Sequence, residues 1–212
     1  TCALPILIKR SGLPVEYSKG FNPHMALSIA QPLSVGVYSD GEYLDLVLTE
    51  SLGVGEVIEK LNESAPPTIK FLHATPVEII ENVKRLPQAM ALLDGARYTI
   101  KVKLNGTSKV EEEMGKTLNE SKWEIVKKTK KGEKLTDIKP LVKEFKYWVK
   151  DNELILNTLI ATGSRENLSA DLLVTYLKGK VSEINPDSFV NIKREEMYIL
   201  KNNKYVPLYK GI

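Results

Sequence analysis

The chain has 212 residues, 42% of them hydrophobic and 27% charged, and a net charge of +3. That is the balance of a globular protein, with no apolar run near the roughly 20 residues of a membrane span. One cysteine, Cys2, excludes an internal disulfide, a multi-thiolate zinc site and an iron–sulfur cluster held by this chain alone, and it points to a reducing cytoplasm. The small net charge hides an asymmetry: before Gly95 there are 7 basic and 11 acidic residues, and from Gly95 onward 23 and 16, about −4 against +7. An anionic partner, if one binds, is expected to meet the second half, and a well-solvated lysine surface accounts for the same balance.

Leu4, Leu7 and Ile8 have helical spacing, Pro5 suits a first turn and Gly12 a C-terminal stop, which predicts a helix over 3–11. A stretch rich in Gly and Pro follows. Leu44, Leu46 and Leu48 then alternate as a strand, and Ser39-Asp40-Gly41 predicts a hairpin with the Leu33–Val37 run. Val54, Val57, Ile58 and Leu61 restore the helical period until Pro66-Pro67, and Ile69–Leu72 reads as another strand. The order is helix, strand, strand, helix, strand, so a first strand is expected upstream of Thr1, where the sequence begins without an initiator methionine.

Residues 77–95 have no clear period, and a domain junction is placed there, giving domains 1–85 and 86–212. In the second, Tyr98–Leu104 alternates as a strand and Val110, Met114 and Leu118 suit a helix whose Glu111-Glu112-Glu113 complements its N-terminal dipole. Trp123, Ile125 and Lys127 begin a strand leading to a hairpin tip at Lys130-Lys131-Gly132-Glu133, and Leu154–Ile160 forms the next strand. Leu168, Leu172, Leu173, Tyr176 and Leu177 mark a last helix, before strands at Phe189–Ile192 and Met197–Leu200. Strand, helix, two strands, helix, strand is the ferredoxin-like order. The expected class is α+β: two tandem ferredoxin-like (βαββαβ) units, the first lacking its N-terminal strand.

The segment Leu13-Pro14-Val15-Glu16-Tyr17-Ser18-Lys19-Gly20-Phe21-Asn22-Pro23-His24, with Leu27-Ser28, Pro32–Val37 and Gly41-Glu42-Tyr43-Leu44-Asp45, closely resembles the radical SAM-linked family, a domain of unknown function. The resemblance is strongest over about 3–50 and extends more weakly to Asp137–Val142 and Arg194-Glu195. Met25 stands where a proline commonly follows the family histidine, and Ser169-Ala170 replaces an Arg-Pro pair. The resemblance implies a radical SAM protein as partner and an accessory role. S-adenosylmethionine and an iron–sulfur cluster would then belong to that partner, with no cofactor in this chain.

Tyr17, Lys19, Asn22 and His24 concentrate a phenol, an ammonium, an amide and an imidazole on one loop, suited to substrate binding, with His24 able to act as general acid or base. Glu42 and Asp45 follow closely enough to join them, although turn-forming and solvated roles account for the same residues. No metal site is assigned, and His73 reads as structural. Lys127, Lys128, Lys130, Lys131, Lys134 and Lys139 form a basic ribbon with Phe145, Tyr147 and Trp148 nearby, fit either for RNA or for protecting an exposed edge strand. Gly163–Asn167 can meet an anion at a helix N-terminus, or Asn167 or Ser169 can cap that helix.

The leading expectation is a substrate-binding or accessory module that works with a radical SAM enzyme and holds RNA or another anionic substrate. Its rivals are a hydrolase or RNA-processing enzyme using His24, and a structural adaptor of the radical SAM protein.

Overall fold

A computed structural model describes residues 3–77, 87–129 and 132–212. In chain order these form α1 (Ala3–Arg10), β1 (Leu27–Ile29), β2 (Val37–Ser39), β3 (Leu44–Leu46), α2 (Val54–Ser64), α3 (Ala89–Leu92), β4 (Gly95–Lys103), α4 (Val110–Asn119), β5 (Glu124–Thr129), β6 (Gly132–Asp137), β7 (Val142–Lys150), β8 (Glu153–Ala161), α5 (Ala170–Lys178), β9 (Asn191–Lys201), β10 (Lys204–Pro207) and α6 (Leu208–Gly211). The architecture is mixed α+β. The chain divides into unit 1 (Thr1–Pro32 and Tyr43–Ala91) and unit 2 (Leu33–Glu42 and Leu92–Ile212). The expected boundary at 85/86 lies outside the described residues. Among the described residues no helix is long and apolar enough to cross a membrane.

In unit 1, α1 ends where Gly12 takes φ +68°, a left-handed value that glycine adopts at low cost. Its inner residues Leu7 and Ile8 are buried with Leu13 and with Leu61 of α2, and Leu27 and Leu46 pack against this core from the sheet. β1 and β3 pair antiparallel, Leu27 opposite Leu46 and Ile29 opposite Leu44. Ala65 is extended, as a residue before proline prefers, and this ends α2. The strand expected at Ile69–Leu72 does not form. The Asn62 side-chain amide instead donates to Phe71 O (2.9 Å) and accepts from Phe71 N (2.8 Å), satisfying the backbone groups that a neighbouring strand would otherwise pair.

The expected β2–β3 hairpin is also corrected. The Ser39-Asp40-Gly41 turn exists, with Gly41 N donating to Ser39 Oγ at 3.2 Å, but β2 runs parallel to β9, Val37 opposite Ile192 and Ser39 opposite Arg194. Its ladder groups are spent on unit 2, and Asp40 N donating to Arg194 O (2.9 Å) continues the attachment.

Unit 2 is built on a sheet ordered β10-β9-β4-β8-β7. β4 runs along one side of β9; the other side is shared between β10, beside Tyr198–Lys201, and β2, beside Ile192–Arg194. One sheet face carries the buried Tyr98, Ile100 and Val102 of β4 with Leu154, Leu156 and Ile160 of β8. Tyr147 on this face donates to Glu111 of α4 (2.9 Å), and Phe145 meets Trp123 edge-on, which stacks in turn on Tyr176 of α5. This is the helix-covered side.

Two expectations for this unit change. The strand that pairs with β8 is β7, while Trp123–Lys127 leads into a self-paired β5–β6 hairpin inserted between α4 and β7. The strands expected at Phe189–Ile192 and Met197–Leu200 are one strand, β9, whose register shifts opposite Arg97/Tyr98. Two-residue turns at Asp151-Asn152 and Asn202-Asn203, all four residues at positive φ, close the β7–β8 and β9–β10 hairpins.

Candidate functional site

The polar loop of unit 1 is shaped by backbone pairing. Glu16 N donates to Val47 O (2.9 Å) and Ala26 N to Glu16 O (2.8 Å), laying both limbs of the loop beside the β1–β3 pair. Higher up, Ser18 N donates to His24 O (2.8 Å) and His24 N to Ser18 Oγ (2.9 Å), closing the loop below its tip. Gly20, at φ +140°, turns the tip, and Phe21 there is fully exposed.

At the base of the loop lies an open cleft of about 340 Å³, lined by Glu16, Tyr17, Ser18, His24, Met25, Asp45, Val47 and Gln88 among others. The volume suits a small ligand or one group of a larger one. Asp45 Oδ2 accepts from Ala89 N at 3.0 Å, which fixes this carboxylate while Oδ1 has no protein partner among the described residues. Of the candidate residues, Tyr17, His24 and Asp45 therefore share the cleft. Lys19 and Asn22 are exposed on the tip and do not line it, and His73 is exposed elsewhere. With carboxylates at Glu16 and Asp45 among its described lining residues, the cleft suits a neutral or cationic hydrogen-bonding group. Among the described residues, no cluster of three or more His, Cys, Asp or Glu side chains is placed to hold a metal ion.

Glu42 belongs to unit 2, where it receives Arg194. Arg194 Nε and Nη2 both reach Glu42 Oε1 (2.8 and 2.6 Å), and Nη2 also reaches Oε2 (2.5 Å). The Arg194 side chain is only 2% exposed, so Glu42 neutralises a charge buried beneath the β2–β9 junction. Beside it, Lys193 pairs with Asp40 at 2.7 Å.

The basic ribbon divides as well. Lys139 Nζ donates to Leu118 O (3.0 Å) and to Glu120 O, at the C-terminal end of α4, and lies 5.9 Å from the Trp123 ring centroid, so it caps a helix. Lys127 is half-buried and reaches Asn167 O at 3.4 Å, whereas Lys134 is exposed. Lys130, Lys131 and the Lys128 side chain lie outside the described residues. The hairpin also exposes an apolar cross-strand pair, Val126 and Leu135. At the Gly163–Asn167 segment, Ser169 Oγ accepts from Leu172 N at 3.2 Å, capping α5.

Sequence reasoning missed Glu16, Ser18 and Gln88 in the cleft. Glu16 and Ser18 stand beside Tyr17, and in a limb paired on both sides the neighbours of a lining residue are themselves candidates. Gln88 reaches the cleft only through the fold.

A family model described as "Uncharacterized protein conserved in bacteria (DUF2344)" matches residues 4–170, most of the chain, and the chain belongs to that family. No curated protein and no solved structure gives a significant match.

Proposed function

We propose that this member of the DUF2344 family is a substrate-binding accessory module that works with a radical SAM enzyme. S-adenosylmethionine and the iron–sulfur cluster would reside on the partner. The observation that carries the reading is the convergence of Tyr17, His24 and Asp45 on one open cleft, with a phenol, an imidazole and a carboxylate among its lining groups. Such a site recognises hydrogen-bonding groups, and the basic excess of the second half independently attracts anionic partners. The partner itself follows from the resemblance of the Leu13–His24 segment.

Unit 2 we read as ferredoxin-like, with β4, α4, β7, β8, α5 and β9 as its six elements and the β5–β6 hairpin as an insertion. Unit 1 departs from the same plan, because β2 joins the other sheet and Ile69–Leu72 forms no strand.

The test is copurification of the tagged full chain from its native host, comparing wild type with Tyr17→Phe and His24→Ala. Recovery of a radical SAM protein whose activity on its substrate falls in the loop variants is the expected result. A partner enzyme that works equally well without this chain would overturn it. A second reading, an RNA-processing hydrolase with His24 as general acid or base, draws on His24 and Asp45 sharing the cleft. Turnover by the isolated chain, lost in His24→Ala with folding retained, would favour it.

A further inference from the structure

The face of the unit 2 sheet opposite the one that packs against α4 and α5 has a composition that neither the cleft nor the hairpin explains. Strand side chains alternate between faces, so the residues opposite the buried Ile100 and Leu156 side stand together. The registers place Trp148 of β7, Ile155 of β8 and Lys101 of β4 in one cross-strand row. Adjacent rows carry Lys103, Glu153 and Lys150 on one side, and Lys193, Thr99, Asn157 and Lys146 on the other. Across the sheet, Tyr38 of β2 is opposite Lys193. Trp148 and Tyr38 are 43% and 61% exposed, and Lys101, Lys103, Lys146 and Lys150 are exposed. These four lysines make no ion pair among the described residues, while Lys193–Asp40 and Arg97–Glu144 neutralise one another. Glu195, held by the neutral Thr99 hydroxyl and Asn157 amide, and Glu153 are the acids that stand among the lysines.

Trp148 stands opposite the buried Ile155 yet keeps 43% of its surface exposed on an edge strand, an apolar exposure that costs solubility. Surrounded by unpaired lysines, it has the arrangement that stacks an unpaired base while ammonium groups hold the flanking phosphates. Four strand spacings separate β2 from β7, about 19 Å, a span of a few nucleotides along an extended strand. We propose that this face, centred on Trp148 with Lys101, Lys103, Lys146 and Lys150, binds a single-stranded nucleic acid. The inference rests on the accessory-module reading for its partner enzyme, and it puts the anionic substrate on the open sheet instead of the lysine hairpin.

The experiment is anisotropy titration of a labelled, unstructured RNA of about 12 nucleotides, and of the matching DNA, with the full chain over a range of salt. Wild type binds, Trp148→Ala weakens binding about 5- to 150-fold, and Trp148→Phe keeps most of it, because a smaller aromatic ring still stacks. The Lys101→Ala/Lys146→Ala variant lowers the slope of log affinity against log salt by about 1.4. RNA held more tightly than DNA identifies RNA as the ligand, and equal binding supports the face for single strands of either kind. Binding that survives Trp148→Ala but is lost in Lys127→Ala/Lys134→Ala overturns the surface. Wild type that binds neither strand, yet still copurifies with the radical SAM protein, also sinks this surface and leaves the accessory role standing.

Discussion

Replacing Glu42 by leucine removes the Glu42 carboxylate from Arg194 while leaving the guanidinium in place. Arg194 is 2% exposed, so water cannot take over the lost hydrogen bonds without opening the β2–β9 junction. Removing one partner of a buried ion pair costs about 3–5 kcal/mol; because the Glu42 side chain is itself 34% exposed, the lower end applies, about 3 kcal/mol. At a urea dependence of about 2 kcal/mol per molar, the unfolding midpoint moves down by about 1.5 M. Both tryptophans of the chain, Trp123 and Trp148, lie in unit 2, so tryptophan fluorescence follows that unit alone. The double variant Glu42→Leu/Arg194→Met removes both charges and is expected to recover most of the loss, since apolar replacement of a buried pair is often close to neutral. A Glu42→Leu stability within about 0.5 kcal/mol of wild type would refute the reasoning. So would a double variant as unstable as the sum of its single changes. The same measurement separates an anchoring Glu42 from a ligand-binding one, because an anchor loses stability first and binding only as a consequence.

Three further outcomes follow from particular contacts. At Gly163, φ is +141° and an added Cβ would lie 2.3 Å from Leu93 O, so Gly163→Ala is expected to cost about 2 kcal/mol or more by the same fluorescence-monitored unfolding; an unchanged midpoint contradicts the close approach. Burial alone would raise the Glu183 carboxyl, but donation from the Lys109 and Ser108 amides and the Ser108 hydroxyl at the start of α4 outweighs it and holds the group below the ordinary glutamate range. A depressed carboxyl stabilises the fold above its unfolded pKa and loses that contribution as pH falls through the folded value. Glu183→Gln should therefore flatten the acid limb of the stability–pH curve, and an unaltered limb counts against this cap. His24 is exposed, so His24→Ala should leave stability within about 0.5 kcal/mol of wild type when unfolding is followed by circular dichroism, which reports unit 1 as well; a larger loss would mean the imidazole serves the fold.

Local periodicity was legible where neighbouring residues decide structure. Gly12 stops α1, Leu44 and Leu46 alternate in β3, and Ser169 caps α5. Misreadings arose where the choice of partner mattered. Ser39-Asp40-Gly41 is a sound turn signal, yet a turn does not specify which strand lies beyond it, and β9 captured β2. Ile69–Leu72 has strand-like residues, but Asn62 had already supplied the hydrogen bonds. The Lys150-Asp151-Asn152-Glu153 and Lys201-Asn202-Asn203-Lys204 turns were readable and would have shown that β7 and β8, and β9 and β10, are hairpins.

The same division holds for the candidate site. Composition and short-range spacing determined an α+β chain with a polar loop at Tyr17–His24 and a basic second half, because charge and side-chain period are properties of the sequence itself. The tertiary structure alone decided that Asp45 faces the cleft while Glu42 neutralises Arg194, and that Trp148 stands among lysines on an open sheet. Residues distant along the chain become neighbours only through strand register and packing, and a local pattern does not fix either one.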